Sequence, residues 1–93
     1  MTEQERLSML KIDLGISATG YDARLTQYLN AAEKQIKREG VATLDSTQLE
    51  DAQLVVMYAA WQWRRRDSGD EMPRMLRWAL NNRIFSEKAK AVT

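Results

Sequence analysis

The chain has 93 residues, 44% of them apolar and 29% charged, with a formal net charge of +1 and neither cysteine nor histidine. A domain of this length buries only roughly 60 to 65% of the surface its unfolded chain exposes, so its stability is modest unless subunits share a core. Without cysteine there is no disulfide framework or thiolate metal site, and without histidine the usual general base near neutral pH and the commonest nitrogen ligand for metals are both missing.

Four helices and three short joints are predicted, with no repeats and no low-complexity linker. Thr2 and Glu5 stand in capping-box spacing ahead of Leu7, Leu10 and Leu14, which predicts a first helix of about three turns. Gly15 and the stretch from Ser17 to Gly20 break it. A second helix runs from Tyr21 or Asp22 to Glu39 and stops at Gly40. Its apolar sector is Tyr21, Leu25, Tyr28, Leu29, Ala32 and Ile36, and its solvated side includes Lys34, Arg38 and the surface pair Glu33 and Lys37.

Asp45, Ser46 and Thr47 offer N-caps for a third helix that runs to about Arg66, with Thr47 and Glu50 in capping-box spacing and Glu50 and Asp51 at the positive end of its dipole. Leu49, Ala52, Val56, Ala59, Ala60 and Trp63 share one face and form the expected core stripe. Leu54, Tyr58, Trp61 and Arg65 form a second stripe on the other side. A helix apolar on two faces is either central in its own fold or exposed to a partner. Asp67 to Asp70 close the helix with turn residues, and Pro73 suits the first turn of a fourth. Met75, Leu76, Ala79 and Leu80 make its expected core face, while Arg74, Trp78 and Phe85 point elsewhere. The fourth helix is expected to about Asn81 or Asn82, continuation to Lys90 is left open by the low propensity of the two asparagines, and Ala89 to Thr93 are expected to fray.

The segment from Tyr58 to Arg83 therefore gathers all three tryptophans with Arg64, Arg65, Arg66, Arg74, Arg77 and Arg83. Trp and Arg are enriched at the energetic centres of protein interfaces. Phosphate contacts by these arginines are chemically easy as well, but Arg64 to Arg66 crowd one helix end, splay around it, and follow an N-terminal turn that bears Glu50 and Asp51 rather than base-reading side chains. The +1 balance argues against wholesale binding of polyanions. Asp67, Asp70 and Glu71 lack calcium-loop spacing, and Ser46 and Ser68 have no histidine to activate them, so no enzyme, metal or cofactor is expected. No apolar run approaches the roughly 20 residues of a membrane span, and no signal peptide is read, so a soluble protein acting where it is made is expected.

Nearly the whole chain resembles the small phage head-tail connector proteins, also called head-completion or DNA-packaging adaptors. The resemblance rests on Leu10 to Ile16, Tyr21 and Asp22, the pattern Leu25, Tyr28, Leu29, Ala32 and Ile36, the block from Val55 to Trp61 with Arg64 to Arg66, and Met72 to Arg83. It implies a single all-α domain over residues 1–93, a bundle of about four helices, working as a non-enzymatic virion part of a tailed phage or prophage. Such proteins form a ring of about twelve subunits below the portal, extend the DNA channel and dock the next connector or the tail. The implied partners are other copies of the chain, the portal protein and the next connector or tail-completion protein, with DNA passing near and no membrane. The implied location is the virion head-tail junction, after assembly in the host bacterial cytoplasm. Many relatives carry a longer C-terminal arm that contacts the portal, so here the contact falls to Arg83 to Thr93 or to another surface. Tyr58, Trp61, Arg65, Arg74, Trp78 and Arg83 are the expected subunit or portal interface. The alternative is a small helical nucleic-acid-binding or regulatory protein.

Overall fold

The computed structural model describes residues 1–92, folded as four helices: α1 (Glu3–Leu14), α2 (Asp22–Arg38), α3 (Leu49–Ser68) and α4 (Arg74–Val92). No strand occurs among the described residues, so the fold is the small all-α bundle expected from the sequence. The start of α1 is the capping box itself. The Glu5 amide donates to the Thr2 hydroxyl at 3.1 Å, and the Thr2 amide donates to the Glu5 carboxylate at 3.0 Å. Gly15 ends the helix at φ 70°, in the left-handed region that a side chain disfavours.

α3 is the centre of the bundle, with α1, α2 and α4 all packed on it. The core joins Leu7 and Leu10 of α1, Leu25, Leu29, Ala32 and Ile36 of α2, Leu76 and Leu80 of α4, and both apolar stripes of α3. Of the two explanations for a two-faced third helix, envelopment by its own chain thus accounts for Leu54, Tyr58 and Trp61 as well as for Val56, Ala59 and Ala60.

Several local expectations are corrected. Thr47 does not cap α3. Its hydroxyl and amide both donate to the Asp45 carboxylate, closing a local turn, and α3 begins after Gln48 with no side-chain cap. Leu49, placed on the core stripe by phase, is exposed, although Asp51 and Ala52 in the same first turn of α3 are buried. Tyr21 is exposed too, although its ring edge still meets Trp63. Glu33 is reached by the Ser46 hydroxyl at 3.1 Å, and no Glu33 to Lys37 ion pair forms among the described residues. Met75 is solvent-exposed rather than core. Finally, α4, whose course beyond Asn82 the sequence leaves open, does not fray at Ala89 but continues to Val92, while Thr93 lies outside the described residues.

The continuation of α4 has a tertiary cause. Arg83, one turn beyond the last buried leucine, donates from Nε to Asp51 Oδ1 at 2.8 Å and from Nη1 to Glu87 Oε2 at 3.2 Å. Glu87 in turn accepts from the Thr43 amide and hydroxyl, and Asp51 accepts from the Asp45 amide at 2.9 Å. Ile84 packs beside this clasp, against Gly40 of the joint between α2 and α3. The outer half of α4 is therefore tied to α3 and to that joint through one polar cluster and one aliphatic side chain, which outweighs the weak propensity of Asn81 and Asn82.

Candidate protein-interaction surface

The Trp and Arg segment separates into three environments. Around Trp61 everything is intramolecular. Trp61 is 9% exposed, its Nε1 donates to the Asp70 carbonyl at 3.2 Å, Tyr58 meets it edge-on at 5.4 Å, and the Arg65 guanidinium lies 4.7 Å from its centroid. Burial, with the Glu39 carboxylate adding to it, holds the Tyr58 phenol above its ordinary 10.0. Trp63 packs between Tyr21 and Tyr28, edge-on to both, with Arg66 stacked 3.7 Å from its centroid. Arg64 donates from Nη2 to the Asp13 carbonyl at 2.8 Å, satisfying an acceptor at the end of α1. The three arginines at the end of α3 are thus each spent, at least in part, on the subunit itself.

Arg83 belongs to the second environment, the clasp described above. It is nearly buried beside Asp51 and Glu87. For Asp51, burial opposes ionisation most strongly, yet the Arg83 hydrogen bonds and the Asp45 amide outweigh it and leave the carboxyl below its ordinary 3.8. Glu87 is held below 4.5, chiefly by the Thr43 hydroxyl, with Arg83 and the Thr43 amide adding to it against some burial. Asp51 was legible in the sequence only as a helix-dipole charge. Nothing in local spacing links it to a residue 32 positions away.

The third environment is the outward face of α4. Met75, Trp78 and Phe85 recur at helical spacing, and they are 73%, 67% and 74% exposed. Leu76, Leu80 and Ile84, on the other side of the helix, hold it to the bundle. Arg74 flanks the stripe and is exposed with it. Between α3 and α4 a shallow groove of about 340 Å³, lined by Leu54, Met57, Trp78, Ala79 and Asn82 among others, continues the apolar surface inward. A larger, more polar groove of about 680 Å³ lies between α2 and α3, with Arg24, Tyr28, Tyr58, Gln62 and Arg65 in its walls.

Of the six interface residues expected from the sequence, then, Arg74 and Trp78 stand free on α4, Arg65 is exposed but leans on Trp61, and Tyr58, Trp61 and Arg83 have partners inside the subunit. Met75, on the expected core face by its spacing with Leu76 and Ala79, instead stands in water three positions from Trp78. Asp67, Asp70 and Glu71 line an exposed turn, and among the described residues no three acidic, histidine or cysteine side chains approach closely enough to hold a metal. Exposed apolar side chains contiguous over the length of the α4 stripe mark interaction sites in soluble proteins.

A family model described as phage gp6-like head-tail connector protein matches residues 4–82, from α1 through the half of α4 that bears Met75 and Trp78. The chain belongs to this head-tail connector family. No curated protein and no solved structure matches it. The connector is accordingly a structural phage protein of a non-catalytic kind, which works among other head and tail proteins at the head-tail junction of the virion.

Proposed function

We propose that the connector assembles as a ring below the portal, extends the DNA channel, and presents a platform to the next connector or the tail. The exposed stripe of Met75, Trp78 and Phe85 carries this reading. A 93-residue domain that leaves three large side chains of one helix in water, while burying two other aromatics completely enough to hydrogen-bond or stack them, has a surface suited to being covered on assembly. Trp78 and Arg74 are the proposed anchors, and the Arg83 to Lys90 segment of α4 lies next to them for contact with the portal. Assembly proceeds in the host cytoplasm before the protein takes its place in the particle. The connector's arginines pass near DNA without reading it.

Electron microscopy of the connector mixed with its portal protein tests the proposal. A ring of density stacked coaxially on the portal, of about twelve subunits, is expected. Portal particles that stay bare at saturating connector reject it. The subunit is further proposed to be monomeric or weakly associated until it meets the portal. Light scattering that finds a stable large ring at micromolar concentration without portal rejects that second part alone.

A further inference from the structure

The groove between α2 and α3 gathers hydrogen-bonding groups that the subunit leaves unused. Arg24 and Arg65 both line it, and no carboxylate pairs with either among the described residues. Arg24 is exposed, and Arg65 leans on the Trp61 ring with its charge intact. The amides of Gln27 and Gln35 and the hydroxyl of Tyr28 line the same groove, again without a partner among the described residues. The grooves beside Trp78, beside Asp70 and beside Leu49 each carry acidic residues in their walls, and this one carries none. Its two ends also differ. Tyr21 and Tyr28, around the first turns of α2, both meet Trp63, whereas Glu39, past the end of α2, is near enough to the Tyr58 phenol to act on it electrostatically. The two helices therefore run antiparallel, with Arg24 and Arg65 at one end of the groove and Gln35 and Tyr58 at the other. Ala31 and Ala32 lie between and leave room for a backbone to approach. From Arg24 to Gln35 the helix rises roughly 16 Å, the length of about five residues of extended chain.

We infer that this groove binds an extended segment of a partner protein, an acidic side chain of which meets Arg24 and Arg65 while its backbone is met by Gln27, Gln35 and Tyr28. Guanidinium groups present paired N–H donors that match a carboxylate. Glutamine amides both donate and accept, as the peptide backbone does. Duplex nucleic acid has the same sign of charge, but it is too wide for a cleft between packed helices whose axes stand only about 8 to 10 Å apart. A strand charged along its whole length also meets Glu39 at the far end. One acid at one end of a short segment satisfies both ends of the groove. The inference depends on neither the ring nor the α4 stripe.

Nuclear magnetic resonance of the isotope-labelled connector tests the groove. Two pools of capped heptapeptides serve as probes, random at every position except the middle one, which is Asp in the first pool and Asn in the second. The Asp pool is expected to shift the backbone amides of Gln27, Tyr28, Ala31, Gln35 and Gln62, and the Asn pool to need at least about tenfold more peptide for the same shifts. Arg24→Gln, at an exposed residue with no partner to lose, is expected to remove most of that difference between the pools. Gln27→Ala with Gln35→Ala is expected to weaken both pools and keep the difference. Equal shifts from the two pools, shifts that fall outside the groove, no shift at millimolar peptide, or a difference that survives Arg24→Gln each overturn the inference. Sodium acetate that gives the same shifts at the same concentration reduces the groove to a site for small anions and overturns the peptide as occupant. A short DNA duplex that displaces the Asp pool from these residues assigns the groove to nucleic acid and overturns it as well.

Discussion

Trp61 and Trp78 show how one residue type divides by environment. Trp61 fills the space between α3 and the turn before α4, with Tyr58 on its edge and the Asp70 carbonyl on its Nε1, so Trp61→Ala removes packing from the subunit itself. A loss of about 3 to 5 kcal/mol is expected, read as a lower urea midpoint of the isolated protein. Trp78→Ala removes a ring already in water, and stability is expected to stay within about 0.5 kcal/mol while portal-dependent assembly weakens. Equal effects of the two on the urea midpoint contradict this division. The acids of the clasp yield a pH prediction. Asp51 and Glu87 both lie below their ordinary values in the folded protein, so the stability they contribute is fully present above those values and is lost as pH falls through the depressed folded ones. Stability is thus expected to be flat from these groups between neutral pH and about pH 5, and to fall from about pH 4 downward. Arg83→Met leaves Asp51 unpaired in a poorly solvated place, and is expected to cost about 1 to 3 kcal/mol at neutral pH and to flatten the acid limb. An unchanged acid limb in that variant assigns the limb to other carboxylates.

At the scale of elements, the starts and stops written in local chemistry were legible, and those set by distant partners were not. The Thr2 and Glu5 box and the break at Gly15 need only residues within a few positions of one another, and both are found as expected. The start of α3 was misread by one capping group because Asp45, two residues before Thr47, competes for the same hydroxyl. The length of α4 is open in the sequence because its outer half owes its order to Asp51 and Thr43, which lie in other parts of the chain. Gly40 shows the same dependence. Its φ of 126° is a conformation that L side chains rarely adopt, and it lets the chain turn beneath Ile84. A Cβ added there meets Ile84 at an ordinary 3.5 Å, so the cost of Gly40→Ala is conformational rather than steric. A loss of about 1 to 3 kcal/mol is expected, with amide exchange of α4 beyond Leu80 accelerated more than that of α2. Uniform acceleration across the bundle contradicts a local role for this joint.

For the whole molecule, the all-α architecture and the connector family were both legible before any coordinates, because helical periodicity and the order of apolar blocks along the chain are one-dimensional properties. The seventeen residues of α2 kept the apolar face read from their spacing, with Tyr21 at its rim as the exception. Which aromatics face water was a different kind of question. Phase placed Trp61 and Trp78 alike, off the main stripe of their helices beside arginines, yet α3 is packed by three helices and α4 along one side of its own surface only. Helical phase names the residues that share a face but not the number of neighbours that face will have, since neighbours arrive from elsewhere in the chain. The sequence by itself thus determined four helices, the bounds of the first two, the absence of histidine or thiolate chemistry, and the family. Only the tertiary structure decided that Asp51 and Arg83 close a clasp and that Met75, Trp78 and Phe85 stay in water, because burial and long-range pairing depend on how the helices stack.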